Sequence, residues 1–311
     1  MRTSAITDAP DRRASTSRAL SLLVLPSFCG AVMVSTLQST PLLYGIGQLA
    51  GAVFFMQAFI LLHEFGHGSF FASRRANLIG GYLASLLVFI PFPNWRWLHD
   101  LHHRWTGFRD LDPTTEATFA ERLSPFSRRL VNVCWRWSLP LFTFGYRIGI
   151  FWNPSKLRRH LSPHRFRVCV AHIVVYLIIY VTTAWIAFDS LVDVLPAIAA
   201  SFVICDVLTL SQHSHIEMPL AAGEAVRPIS GHAQVQYTRS LMFPRWFAHF
   251  VLLNFNFHEA HHARPRTPCY RLAQWHAASD NAFAFLPWIR RVKSMSGVDF
   301  IFRTNPERRG F

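Results

Sequence analysis

Residues 41–71 read PLLYGIGQLAGAVFFMQAFILLHEFGHGSFF. The first 22, Pro41 to Leu62, carry no charge, and about 20 such residues in a helix cross a ~30 Å hydrocarbon core. The run ends in HEFGH, His63 to His67, which fits two incompatible chemistries. HExxH on a helix is the signature of a zinc site in which two imidazoles are ligands and the Glu is a general base. Yet 3.6 residues per turn puts any i, i+4 pair of rings on one helix face, which is also the smallest unit of a larger polyhistidine site. The choice depends on what else the chain places beside this span end.

The surroundings are those of a membrane protein. Of 311 residues, 51% are hydrophobic, 14% aromatic and 15% charged, against a charged fraction of about 25% in soluble proteins. Three more apolar runs have spanning length, at 19–37, 168–188 and 194–212, whereas the apolar run at 78–91 is only 14 residues long and reads as re-entrant or interfacial. Basic residues precede the first run as they would in a cleavable signal, but no small-x-small cleavage site follows it. Of the 31 Lys and Arg residues, none lies in the short connections 38–40 and 189–193. Positive-inside bias therefore predicts cytoplasmic termini and a cytoplasmic middle segment. The net charge of +14 reports orientation and contact with anionic headgroups, not nucleic-acid binding. Cys29, Cys134, Cys169, Cys205 and Cys269 form neither a CxxC pair nor an even framework, and read as small buried hydrophobes.

The expected fold is all-α: four transmembrane helices with a cytoplasmic helical cap over 93–167 and 213–302, in one membrane domain over 19–302. The Arg-rich ends, 1–18 and 303–311, read as disordered tails. WRW at 135–137, within an otherwise apolar 130–152, reads as an amphipathic helix on the cytoplasmic leaflet, with Arg128, Arg129 and Arg136 near headgroups.

The chain has 16 histidines, and most are clustered. After His63 and His67 come HDLHH (His99, His102, His103), QHSH (His213, His215) and HEAHH (His258, His261, His262). HxxHH spacing projects three rings from one helix face. A tetrahedral zinc site needs three or four ligands, so two triplets and a pair exceed one site. The predicted topology brings every cluster to one membrane face, and neutral imidazole suits Fe, Zn or Cu. Two metals with four or five nitrogen ligands each would consume the set. His172, in an apolar span, reads as a hydrogen-bonded core residue, and His160, His164, His232, His249 and His276 lack cluster spacing.

HEFGHGSFFASRRANLIGGYLASLLVFIPFPNWRWLHDLHHRWTG, residues 63–107, resembles the first two histidine boxes of membrane fatty acid desaturases, where HxxxHGSFF, N-x-x-x-G, WR and HxxHH recur in this order. NFNFHEAHHARPRTPCYRL, residues 254–272, resembles their third box, most of all in the delta-12-type acyl-lipid branch. QHSH resembles the extra histidine supplied after the fourth span. The resemblance implies a diiron centre, two Fe held by His63, His67, His99, His102, His103, His213, His258, His261 and His262, with His215 the alternative to His213. It also implies O2 as cosubstrate, a fatty acyl substrate linked to lipid, CoA or carrier protein, and membrane lipids as surroundings. The chain departs from that branch at Glu64-Phe65, where Asp-Cys is common.

Ligating histidines commonly donate their second N–H to a carboxylate or carbonyl. Asp206, inside the fourth span where a carboxylate is costly, is the first candidate for that role, followed by Glu259 and Asp100 within the boxes. Trp95, Trp97 and Trp105 are candidates for the wall of an acyl channel. No haem-attachment CxxCH is visible, so a separate ferredoxin-like or cytochrome donor is expected. A hydroxylase, acetylenase or carotenoid ketolase would use the same scaffold. An intramembrane zinc protease would need a distant Asp-Gly, which the sequence lacks, and a metal transporter would need ligands along a crossing path.

Overall fold

The computed structural model describes residues 12–276 and 281–304. The expected tails therefore lie largely outside the described residues, at 1–11 and 305–311. The order of helices is α1 (Arg12–Thr36), α2 (Pro41–His67), α3 (Arg74–Leu87), α4 (Phe92–Trp105), α5 (Pro125–Arg136), α6 (Leu141–Tyr146), α7 (Pro154–His160), α8 (Pro163–Ile186) and α9 (Phe188–His213). Then follow α10 (His258–Ala263), α11 (Cys269–Leu272), α12 (Phe285–Ser294) and α13 (Gly297–Phe302). β1 (Ser240–Met242) pairs in parallel with β2 (Ala282–Ala284).

α1 from Ser15, α2, α8 and α9 are long and apolar enough to cross a membrane. All four extend beyond the apolar runs that announce them. Residues 12–18, expected in the tail, form the first turns of α1, and α2 runs one turn further to include the first histidine pair. α9 takes the 189–193 connection into its first turns. Asp189 there faces the positive end of the helix dipole. α2 is central and packs against α1, α3, α4 and α9.

Pro196 lies inside α9 and cannot donate to its ladder. Gln48 of α2 inserts at this point: its Oε1 accepts from the Ala197 amide at 2.9 Å and its Nε2 donates to the Asp193 carbonyl at 3.0 Å. Tyr44 Oη donates to the same carbonyl at 2.9 Å. In an apolar medium a freed backbone group is costly unless a neighbouring helix satisfies it, and α2 does so here.

The apolar run at 78–91 becomes α3 and the start of α4, two helices meeting at 103°. The bend falls at Phe89, with φ of 58°, before the prolines of the FIPFP run, Pro91 and Pro93. The single amphipathic helix expected over 130–152 is instead two. α5 ends at Arg136, Ser138 adopts φ of 53° and Pro140 follows, after which α6 continues into a π-helical turn over Arg147–Phe151. A residue at positive φ followed by a proline cannot continue a helix.

Candidate metal centre

The end of α2 is built by the residues after its histidines. Gly68, with φ of 69°, closes the helix in the left-handed conformation directly behind His67, its amide donating to Phe65. Asn77 of α3 then fastens the GSFF turn. Its Nδ2 donates to the carbonyls of Gly68, Phe71 and Ser73 at 3.1, 2.7 and 3.0 Å, and its Oδ1 accepts from the Phe71 amide at 2.9 Å. Phe70 of this turn is fully buried. A β-carbon on Gly66 would lie 2.0 Å from Cζ3 of Trp95, so the glycine is what lets α4 approach α2. Trp95 in turn stacks on the His99 ring, with centroids 4.3 Å apart.

Nine histidines from four helices converge in two groups. His63, His67, His99, His103 and His261 form one, and His102, His213, His258 and His262 the other, with one nitrogen of each residue within 4.8 Å of the others in its group. Each group draws on α4 and α10, the first adding α2 and the second α9. All nine sequence-predicted positions are brought together. His215 is not among them: its Nδ1 turns away to the carbonyls of Asp299 and Arg303, at 3.0 and 3.2 Å.

The tautomers follow from the outer partners. His102 Nδ1 lies 2.7 Å from Asp112 Oδ2, His262 Nδ1 2.9 Å from Gln234 Oε1, and His213 Nδ1 3.1 Å from the Tyr237 carbonyl. Gln234 uses its amide nitrogen on the carbonyls of His103 and Ile229, so its oxygen is the acceptor for His262. Each of these three rings donates outward, which leaves a lone pair on Nε2 facing inward. His258 Nε2 sits 2.8 Å from His213 Nε2 and 3.0 Å from His262 Nε2. One N–H can answer only one of those lone pairs.

In the other group Nε2 atoms approach at 3.0 Å (His67–His99), 3.1 Å (His99–His103) and 3.0 Å (His103–His261). Two nitrogens at right angles on a metal at roughly 2.1 Å are about 3.0 Å apart. The buried Nε2 of His63 has no protein hydrogen-bond partner. Burial, reinforced by neighbouring rings, pushes His258, His261 and His262 well below the ordinary imidazole range, so they are neutral ligand forms. Orphaned nitrogen, converging lone pairs and neutral rings all fit a cation in each group.

The groups that orient the rings were mostly not the expected ones. Asp206 is buried, but it accepts from the Thr143 amide and so serves the start of α6. Asp100 is exposed on the side of α4 away from the rings. Glu259 is buried near Arg239, whose guanidinium burial pushes down to about 9 against the countering field of that carboxylate. Arg239 donates to the Ser211 and Ser214 carbonyls at 2.9 and 3.0 Å and so closes the end of α9 beside His213.

Asp112, Gln234 and Glu64 meet ring nitrogens instead, and Thr114 Oγ1 also lies 3.1 Å from His102 Nδ1. Burial alone would raise the Asp112 carboxyl, but His102 and the Thr114 amide hold it below the ordinary range. Glu64 Oε1 lies 3.2 Å from His63 Nδ1, and its Oε2 accepts from the Cys269 amide at 2.9 Å. With both oxygens engaged, Glu64 ties the first box to the segment after the third. It is not placed as a free general base.

A cavity of about 440 Å³ touches both groups, reaching His63 and His99 of one and His102, His213 and His258 of the other. Trp95 lines it, as do Phe59 and Ile150; Trp97 and Trp105 are not part of its wall. Its size is that of a small-molecule site, about 300–1,000 Å³.

Fold and site together define a multi-span helical protein with a paired polyhistidine metal site beside an apolar cavity. Residues 39–292 match the sequence model for the fatty acid desaturase family, and the chain belongs to that family. It is 25% identical over 233 residues to the sn-1 oleoyl-lipid 12-desaturase of Picosynechococcus sp., covering 71% of this chain and 64% of that protein. It is 32% identical over 121 residues to the omega-3 fatty acid desaturase, endoplasmic reticulum, of Vigna radiata var. radiata, covering 37% and 30%. It is also 32% identical over 120 residues to the sn-2 acyl-lipid omega-3 desaturase (ferredoxin), chloroplastic, of Helianthus annuus, covering 37% and 26%. The matches thus span less than two thirds of the length of these relatives.

Proposed function

We propose that the chain is an O2-dependent fatty acyl desaturase whose nine histidines hold two iron ions. The observation that carries this is the grouping itself: every box contributes, and both groups meet one apolar cavity. When bound, the irons supply the oxidising power, with O2 and two electrons, to remove hydrogens from an unactivated acyl methylene, which no side chain can do. The protein's share is placement. Asp112, Gln234 and the Tyr237 carbonyl fix the ring tautomers, Glu64 holds His63, and Phe59, Trp95 and Ile150 give the acyl chain an apolar wall.

The lack of Lys and Arg in the 38–40 and 189–193 connections supports cytoplasmic termini, with residues 93–167 and 213–302 forming a cap on that side. The electron donor is then a separate ferredoxin-like or cytochrome protein; the Helianthus relative carries ferredoxin in its name. On this reading residues 19–302 form a single membrane domain, which the four helices long and apolar enough to cross a membrane support.

Expression in a desaturase-deficient host, with mass spectrometry of total fatty acids, tests the reading. A new double bond and two Fe per purified chain are expected. Hydroxyl or keto products without new double bonds, or one Zn per chain, would overturn it.

A further inference from the structure

Two of the residues that line the cavity are glycines at the protein surface. Gly145 of α6 and Gly149 of the π-helical turn both line it, both are exposed, and a β-carbon built on either meets nothing within 4 Å. Neither has a positive φ, so neither is needed for backbone conformation. Glycine is among the poorest helix formers, and two within five residues weaken a helix with no steric reason on the protein side.

The outer face around them suits lipid. Leu139, Phe144 and Ile148 are 47%, 55% and 50% exposed. Between Ser138 and Trp152 the one charged residue is Arg147. It is buried and turned inward: its Nε donates to the Val88 carbonyl at 2.8 Å, and its guanidinium lies 4.1 Å from the centre of the Phe202 ring. Elsewhere in the lining the situation is reversed. Lys156 lines the cavity, as do Thr115 and Ala117, and its ammonium is paired at 3.0 Å with Glu116, both side chains nearly buried. That part of the lining carries an ion pair, while the two glycines carry no side chain.

We propose that Gly145 and Gly149 form a side entrance through which an acyl chain passes from the lipid leaflet into the cavity, so that the substrate is a membrane lipid and not a water-borne acyl thioester. This rests on reading the cavity as the acyl site. The two missing side chains leave the width of a hydrocarbon chain at the apolar edge, and the polar end of the lipid stays outside, toward the headgroup layer. A π turn, which widens a helix locally and recurs at functional sites, falls at the same place.

The test uses the full-length protein in bilayers that contain a phosphatidylcholine with a photoreactive group midway along one acyl chain. Cross-links are mapped by peptide mass spectrometry. In the wild type, labels are expected on peptides holding Trp95 and Thr209, which line the cavity, and on the outer face of α8 around Ile178. In the double variant Gly145→Leu, Gly149→Leu, the cavity labels should fall by about tenfold, as added methylenes discriminate in a pocket, while the α8 labels persist. Leucine is a better helix former and has space at both positions, and unchanged iron content checks that the fold is kept. The paired alanine variant should lie between.

Cavity labelling at the wild-type level in the double leucine variant would overturn the entrance. So would labelling of the cavity by a photoreactive acyl thioester added in water but not by the lipid. Labelling by neither probe in the wild type would remove the acyl-site reading itself, and the entrance with it.

Discussion

In the four-histidine group three rings hold a protein acceptor on Nδ1: Asp112 for His102, Gln234 for His262 and the Tyr237 carbonyl for His213. In the five-histidine group Glu64 meets His63, while the buried Nδ1 atoms of His103 and His261 have no protein partner. That group is placed by packing instead. His63 and His67 sit one turn apart on α2, Gly66 between them lets Trp95 press against the helix, and Trp95 stacks on His99. The same ligand chemistry is thus positioned by hydrogen bonds in one group and by close apolar contact in the other. Changes of acceptor should damage the four-histidine group and packing errors the five-histidine group.

Removing a ligand tests the pair at its extremes. His261→Ala and His262→Ala take one ring from each group, and each should abolish double-bond formation. Iron per chain should fall below two, with membrane insertion intact. Full activity in either variant would break the assignment of that ring.

Asp112→Asn keeps the shape but weakens the acceptor on His102, and should lower metal affinity or activity about 10- to 100-fold. Thermal stability should change little. Gly66→Ala is the counterpart on the other side. Its β-carbon would lie 2.0 Å from Trp95, so the indole must move. Overpacking of this kind costs roughly 1–3 kcal/mol, so the melting temperature should fall and His99 should lose its stacking partner. If Asp112→Asn lowers stability as much as Gly66→Ala does, the division between polar and apolar placement fails.

Eight of the nine ring positions were legible in the sequence because i, i+3 and i+4 spacing on a helix is a local property, whereas His213 was preferred to His215 only through the family resemblance. The outer partners of the rings were not legible. Asp112 lies in the irregular segment after α4, and Gln234 in a short 3₁₀ turn over Ala233–Tyr237, so their arrival beside His102 and His262 depends on the tertiary path. Asp206 attracted attention as a carboxylate in a span, but that cost is met at the Thr143 amide. Asp100 follows His99 by one residue, about 100° round the helix, so the spacing that gathers the rings on one face sends it to the other. The spans were readable from length and charge. The 103° bend between α3 and α4 was readable only as a run too short to cross. Glu64 shows the limit of a motif: HExxH fixes where two rings point, while the Cys269 amide 205 residues away settles how the glutamate is engaged.

The smallest expected effect lies in the segment that carries Asp112. Glu116 ties it to α7, with its carboxylate 3.0 Å from both Lys156 Nζ and His160 Nε2. Burial alone would raise that carboxyl, but the bonds from His160 and Lys156 outweigh it and lower its pKa from 4.5 to about 2. A carboxyl depressed in the fold contributes stability that is complete above its unfolded value and is lost as pH falls toward the folded one. Glu116→Gln should therefore cost on the order of 1 kcal/mol at neutral pH. The difference from wild type should shrink between pH 4.5 and about 2. Denaturation at stepped pH measures it. Because Asp112 keeps its own bonds to Thr114, at 2.8 Å from the amide, activity should fall by less than in Asp112→Asn. A larger loss in Glu116→Gln would mean that the four-histidine group leans on the tether to α7 more than on its own acceptors, and the contrast with the packed group would have to be redrawn.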